Sequence, residues 1–378
     1  MTRSEAVIVA ALRRHGPLSR AGLADATGLS VAGVDRGLAR LVAAGVVVPT
    51  RRSASTGGRP AQLYAYDGEG VVVAGLSITD EGATGLVVSL DGDVQGRHDV
   101  PFTARDDPES RLAGTVRLLE VVLGHADGRV GGVGVGVPGV VAGPAGTVTA
   151  IHELGWERLG LGALLTRHAG REVVLDNDAN CLAVAEQWRG AGAGVDDLVA
   201  LVVRNGLGAG LITNGRMYRG LHHEAGEIGY LLTERASLRR LFPARGDLEQ
   251  RLGGIRLHDE AERFGLPATD LPGLIATALT ADGPAQDLAV ELLDLTALAI
   301  SALCVVLDPE LVILGGTDRA RLDAVAAGVG ERLLGRLLRV PRIEPSALGG
   351  DAVALGAARL AMPGLSGHND LVTIADAP

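Results

Sequence analysis

Hydrophobic positions recur at helical spacing from the start of the chain. In residues 2–14, TRSEAVIVAALRR, Val7, Ile8, Ala11 and Leu12 share one face, and Thr2 and Glu5 have capping-box spacing. His15-Gly16-Pro17 ends that helix. Ser19 caps a second, RAGLADAT, which stops at Gly28. Ser30 caps a third, in which Val31, Val34, Leu38 and Leu41 form an apolar stripe. VVVP after Gly45 and AQLYAY beyond the loop TRRSASTGGRP predict two paired strands. From Val71 the texture changes to valine- and glycine-rich strands. VVVAGLSITDEGATGLVVSLDGDVQGR predicts two strands and a further hairpin at Asp91-Gly92. A helix around 109–124, the strand VGGVGVGVPGVV, the strand GTVTAI and a helix over 159–168 follow. The strand EVVL then delivers Asp176-Asn177-Asp178 to the helix ANCLAVAEQW. The second half repeats the theme. DLVALVVRNGLGAGLITNGRMYRG reads as a hairpin with a glycine-rich turn, and HHEAGEIGY leads into a largely helical region to about 306. PELVILGG is a last strand before the closing helices.

This order of elements predicts an α/β fold with layered sheets behind a small helical head. The expected domains are 1–66 for the head and 67–378 for the body. Within the body, 71–188 with the helices near 351–363 form a first lobe, and 189–350 form a second, with a cleft between them suited to a small ligand.

Charge changes the picture of the head. Residues 1–66 hold nine arginines against Glu5, Asp25 and Asp35, a net +6 in a chain of net charge −10, which leaves −16 for the rest. Helix, helix-turn-helix and a hairpin with an arginine-rich tip is the layout of a winged helix. In that fold the third helix enters the major groove and the wing reaches toward phosphates or the minor groove. Ser30, Arg36 and Arg40 are the candidate groove residues, and Arg51, Arg52 and Arg59 the candidate wing residues for double-stranded DNA. Gly33 and Gly37 weaken the third helix and Asp35 places a carboxylate there, so a head used only for protein contacts stays open.

Composition narrows the chemistry. The chain of 378 residues contains no lysine, which excludes a Walker-type phosphate loop and a Schiff-base mechanism. Cys181 and Cys304 stand alone, so neither a disulfide framework nor a cysteine metal cluster is expected. The strongest apolar run, LTALAISALCVVL at 295–307, is too short to cross a bilayer, and Met1 to Arg14 is a charged helix rather than a signal sequence. A cytoplasmic protein without membrane contact is expected.

VGVGVPGVV, LGW, LDNDAN, GLGAGLITNGRMYRG, AGEIGYL and DPELVILGG, in this order after a head ending in GGRPA, resemble the ROK (repressor, open reading frame, kinase) family over nearly the whole chain. The resemblance implies a two-lobed actin/hexokinase-like body, a homodimer or higher homo-oligomer, and either a sugar kinase or, with the head, a sugar-responsive transcription regulator. It makes Asp178 the position of the kinase base and assigns sugar contacts to Asn177, Glu227 and Glu249. Glu153 stands where the family has asparagine, and Tyr230 where it has a zinc-ligating histidine. Read alone, Asp178 is an ordinary helix cap and either glutamate a surface charge.

Other family features are missing. Ser77 replaces the carboxylate that helps place magnesium, and Arg204-Asn205-Gly206 replaces a glycine-threonine-glycine turn, although Arg204 could itself hold an anion. No cysteine follows Tyr230 to complete a zinc cluster. His222 and His223 lack the spacing of a metal site and read as loop histidines. The expectation is a DNA-binding regulator of repressor type that senses a sugar or sugar-like effector, with no cofactor, no metal and no catalytic residue. An active sugar kinase, and a ligand-free dimerisation body on a DNA-binding head, are the alternatives.

Overall fold

The computed structural model describes residues 3–50, 61–103, 105–126, 129–142, 146–149, 151, 154–204, 207–243, 245–267, 270–317 and 319–362. The chain forms two compact units. The first comprises 1–135, 161–175 and 357–378, and the second 136–160 and 176–356.

The first unit begins with α1 (Arg3–His15), β1 (Leu18–Ser19), α2 (Arg20–Thr27) and α3 (Val31–Ala43), followed by β2 (Val47–Pro49) and β3 (Leu63–Tyr66). The two predicted caps form: Ser19 accepts from the Gly22 amide at 3.1 Å and Ser30 from the Gly33 amide at 3.2 Å. Ile8, Leu12, Leu23, Val34, Leu38 and Leu41 make the core of this region. Gly37 faces that core, and a methyl group there would lie 2.6 Å from Ile8 Cδ1. The glycine that lowers the helix propensity of α3 thus lets α1 approach it. β3 lies between β1 and β2 in a small antiparallel sheet, and β1 is a pairing that the sequence pattern does not announce.

Two groups of the same unit bind this region to the strands that follow. Arg13 Nη2 lies 2.8 Å from Asp91 Oδ1, and the Tyr66 hydroxyl donates to the same oxygen at 3.1 Å. Burial first, and then the Asp91 charge, push the Tyr66 hydroxyl well above its ordinary range.

β4 (Val72–Ile78), β5 (Gly82–Ser89) and β6 (Val94–Pro101) form an antiparallel meander, with α4 (Pro108–His125) packed on β5 and β6. β7 (Val130–Val137) follows, and then the small hairpin of β8 (Val140–Ala142) and β9 (Thr147–Thr149). The run 130–141, expected as one strand, breaks into β7 and β8 at Pro138-Gly139. Proline lacks the N–H a ladder needs, and Gly139 adopts φ 82°. After α5 (Leu161–Ala169), β10 (Val173–Asn177) completes a sheet of order β10-β7-β4-β5-β6.

α6 (Asp178–Arg189) leads to a second meander of β11 (Leu198–Val203), β12 (Leu207–Thr213) and β13 (Arg216–Met217). The helices α7 (Asp247–Leu252), α8 (Gly254–Phe264), α9 (Leu271–Ala278) and α10 (Pro284–Leu307) come next, followed by β14 (Leu311–Gly315), α11 (Arg319–Leu333), β15 (Arg342–Pro345) and α12 (Ala352–Leu360). β14 runs parallel to β11, and β15 parallel to β14, giving the order β13-β12-β11-β14-β15. Each sheet therefore has the first strand of a meander at its centre, the meander on one side and two later strands on the other. The internal repeat visible in the sequence is a repeat of topology.

α10 corrects the expectation about the apolar run. Its 24 residues are long and apolar enough to cross a membrane by length and composition, because Glu291 and Asp294 interrupt the apolar text without ending the helix. Leu292, Leu293, Ala299 and Ile300 of this helix are buried in the core of the second unit with β11, β14 and α11.

Candidate functional site

The candidate site grows from the junction of β10 and α6. Asn177 caps α6, accepting from the Ala179 amide at 2.8 Å and the Asn180 amide at 3.4 Å, while its Nδ2 donates to the Gly139 carbonyl at 3.0 Å. Both ends of the side chain are engaged by the protein, so a sugar contact from Asn177 would have to share an atom already bonded. Asp178, the first residue of α6, accepts from the Ala179 amide at 2.8 Å and stays half-buried.

Asp176 lies behind them. Its Oδ1 accepts from the Asn177 amide and from Asn180 Nδ2, both at 2.8 Å, and its Oδ2 receives Arg219 Nη2 at 2.5 Å and Nε at 3.1 Å. A two-pronged guanidinium contact of this kind is directional as well as strong. It fastens the segment after β13 to the start of α6. Neither Asp176 nor Arg219 was singled out by sequence. The available signal was the second carboxylate of the DND triplet, which demands a buried partner that spacing does not identify.

A second group of carboxylates comes from the turn before α7. Glu227 precedes the short turn Ile228–Tyr230, and Glu249 lies on α7. The Glu227 carboxyl is pushed up to about 7, mainly by burial and then by the negative charges of Asp178, Glu249 and Glu224. Asp178 and Glu249 therefore both act electrostatically on Glu227 within the second unit. Tyr230 is 49% exposed, and its hydroxyl is pushed up by partial burial and by Glu249, Glu227 and Glu224. Four carboxylates with a phenol beside them present many acceptors and few donors, which suits the hydroxyl hydrogens of a polyol.

The backbone makes this grouping possible. Ala209 of β12 donates to the Gly226 carbonyl at 3.0 Å, and any side chain at Gly226, where φ is 95°, would strike the Ala209 carbonyl. Gly246 likewise lies against the Gly229 carbonyl, so α7 starts in contact with the Glu227 turn.

The phosphate-loop positions look different. Ser77 is buried on β4 opposite Thr84 and offers no carboxylate for a magnesium ion. The stem of Arg204 lies over Gly316, where an added methyl group would sit 2.8 Å from Arg204 Cγ, and the Arg204 carbonyl accepts from the Leu271 amide at 3.2 Å. Asp270 accepts from Thr317 Oγ1 at 2.7 Å and from Arg321 Nη1 at 3.2 Å. Side chains of the protein thus occupy the ends of β11 and β14.

The residues present do not fit zinc. Tyr230 replaces the expected histidine, and no group of three or more His, Cys, Asp or Glu that could hold a metal occurs among the described residues. His222 and His223 are exposed. Cys181 is buried, and its thiol is pushed far up by that burial and by Asp176 and Asp178, the opposite of an activated nucleophile.

In the N-terminal region, Arg36 is exposed on α3, the helix that Ser30 caps. Arg40 is ion-paired with Glu5 at 3.2 Å, and Asp35, which counted against DNA, is paired with Arg20 at 2.6 Å. Arg51, Arg52, Arg59, Glu153, Asn205 and Gly206 lie outside the described residues.

The ROK family profile matches residues 73–363. The chain belongs to the ROK family. A ROK relative, the N-acetyl-D-glucosamine kinase of Escherichia coli O6:H1, is 30% identical over 313 residues, covering 79% of this chain and 98% of the kinase. A crystal structure of a ROK family transcriptional regulator, described as a homolog of the E. coli MLC protein, superposes with a TM-score of 0.75 over 94% of both chains at 22% identity. The ROK family glucokinase from Streptomyces griseus, in complex with glucose and AMPPNP, superposes with a TM-score of 0.64 at 24% identity, over 77% of this chain and 99% of its own. At these identities the structural likenesses are likenesses of fold.

Proposed function

We propose that this ROK protein is a DNA-binding transcription regulator of repressor type whose body binds a sugar and no longer phosphorylates it. The observation that carries the proposal is the extent of the likenesses. The kinase is matched over 98% of its length by 79% of this chain, so its likeness leaves a fifth of the chain over. The likeness to the regulator covers 94% of the chain, which requires most of residues 1–72. Those residues carry three helices, a small sheet and a net positive charge, in keeping with a winged helix whose α3 enters the major groove. Ser30, Arg36 and Arg40 are the proposed groove contacts, with Arg40 exchanging Glu5 for a phosphate, and Arg51, Arg52 and Arg59 the proposed wing contacts. A homodimer would present two copies of α3 to spaced half-sites.

In the body, Asp178, Glu227 and Glu249 are the proposed acceptors for sugar hydroxyls, and Asn177, Tyr230 and Glu153 are further proposed contacts. The name of the kinase relative makes N-acetyl-D-glucosamine the first sugar to test. A sugar changes DNA affinity only by binding one arrangement of the protein better than another.

The kinase reading draws support from the 30% identity and from Asp178 at the position of the family base. Ser77 and the Arg204 stem over Gly316 argue against it, since phosphoryl transfer depends on positioned magnesium and phosphate oxygens. Titration calorimetry with N-acetyl-D-glucosamine, beside a coupled assay for ATP consumption, separates the two. The proposal expects binding that Asp178→Asn weakens by roughly tenfold, and no sugar-dependent ATP consumption. Turnover of ATP that Asp178→Asn abolishes would establish the kinase.

A further inference from the structure

The segment between Tyr230 and α7 has an organising group that the sugar-site residues do not include. Asp247, the first residue of α7, is 1% exposed. Its Oδ2 accepts three hydrogen bonds, from the Thr233 amide, the Thr233 hydroxyl and the Ser237 hydroxyl, each at 2.7 Å. Ser237 is equally buried. The Asp247 Oδ1 is buried and accepts no hydrogen bond among the described residues, but Arg240 Nη1 lies 3.9 Å away and Arg251 Nε 4.0 Å away. Burial alone would raise the carboxyl, yet the bonds from Thr233 and Ser237 and the Arg251 charge outweigh it and hold the group below its ordinary value. A charged carboxylate with this many donors is worth more than a neutral cap, and losing it would leave the buried Ser237 hydroxyl without its acceptor.

Two contacts connect this hub to the candidate sugar site. The Leu248 amide donates to the Leu231 carbonyl at 3.2 Å, one residue beyond Tyr230. The glycines Gly229 and Gly246 allow the Glu227 turn and the start of α7 to touch, with the Gly229 Cβ direction 3.1 Å from Glu249 Cβ. Fixing residues 233–237 to Asp247 therefore fixes α7, and with it Glu249, against the turn that carries Glu227 and Tyr230. Other ties between the same segments, Arg251 to Glu234 at 2.7 Å and Arg240 to Gln250 at 3.3 Å, are at the surface and contribute little.

From this geometry we infer that Asp247 is the positioning residue of the sugar site: its buried carboxylate braces residues 231–240 and holds Glu249 and the Glu227 turn in register for the sugar. The inference rests on the sugar-binding reading above, and its test has an arm that does not.

The test compares full-length wild type with Asp247→Ala, Asp247→Asn and the milder Ser237→Ala by hydrogen exchange and by titration with N-acetyl-D-glucosamine. The inference expects Asp247→Ala to speed amide exchange in 231–240 while leaving α1–α3 and α10 unchanged, and to weaken the sugar by roughly tenfold or more. Asp247→Asn, which keeps an acceptor oxygen, should recover part of the protection and part of the affinity. Ser237→Ala, which removes one bond and no charge, should weaken the sugar by a few-fold and keeps the test open if Asp247→Ala does not fold. Unchanged exchange in 231–240 in every variant would overturn the brace. Faster local exchange with unchanged sugar affinity would overturn its role in positioning. Wild type that binds no sugar would end the positioning role along with the sugar reading, while the exchange arm still decides whether Asp247 braces the segment.

Discussion

Glu227 combines the properties that make the body's chemistry unusual. Its carboxyl is half-buried, with the negative charges of Asp178, Glu249 and Glu224 acting on it. The folded protein holds this proton up to about pH 7, while the unfolded chain releases it near 4.5. The folded state therefore binds more protons in that window, so the group's contribution to stability falls as pH rises from 4.5 to 7 and is constant above. Glu227→Gln should be stabilised relative to wild type by an amount that grows through this window and levels off beyond it. Denaturant unfolding of both proteins at half-unit pH steps checks this, and a difference that stays flat between pH 4 and 8 contradicts it. At the same scale, sequence identified Asp178, Glu227 and Glu249 through their motif context, and it missed Asp176, Arg219 and Asp247. Those three act through partners 10 to 43 residues away, and GDLEQR looks the same whether its aspartate faces water or a buried serine.

The elements were more legible, because apolar spacing reports which face is buried wherever a helix or strand has one wet side. α3, α4, α6 and the two meanders fall where the pattern put them. The failures occurred where that contrast vanishes. The valine-glycine run 130–141 carries its break only in Pro138-Gly139, and the apolar run 295–307 falls short of α10, whose first turns include Glu291 and Asp294. Glycines within strands were readable as close approaches but not as contacts with a particular element. Gly210 of β12 lies against the Ala179 carbonyl in the first turn of α6, which is backbone and cannot swing away. Gly210→Ala should cost about 1–3 kcal/mol or more in denaturant unfolding, since it forces a sheet and a helix apart. A change under about 0.5 kcal/mol would mean that the contact between α6 and β12 is looser than described. On α3, Arg36→Ala should weaken binding to duplex DNA and lower the slope of log affinity against log salt by about one if the side chain contacts a phosphate. An unchanged affinity and slope would remove α3 from the DNA interface.

For the whole molecule, the reading is that a basic N-terminal region and a sugar-binding body have been joined in one ROK chain, and that the phosphate-loop positions have been given over to Ser77 and Arg204. The resemblance in sequence already led to the ROK fold, and the family match over 73–363 bears that out. The topological repeat of two five-stranded sheets accounts for the repeated texture of the sequence. The measurement that bears most directly on the central claim is fluorescence anisotropy of the purified protein on duplex DNA from upstream of its own gene. It is run over a salt series against a scrambled duplex, with and without N-acetyl-D-glucosamine and glucose. The account predicts binding to the upstream duplex about a thousandfold or more tighter than to the scrambled one, shifted by roughly five- to 150-fold by one sugar. Equal affinity for both duplexes, falling with salt alone and indifferent to every sugar, would contradict it.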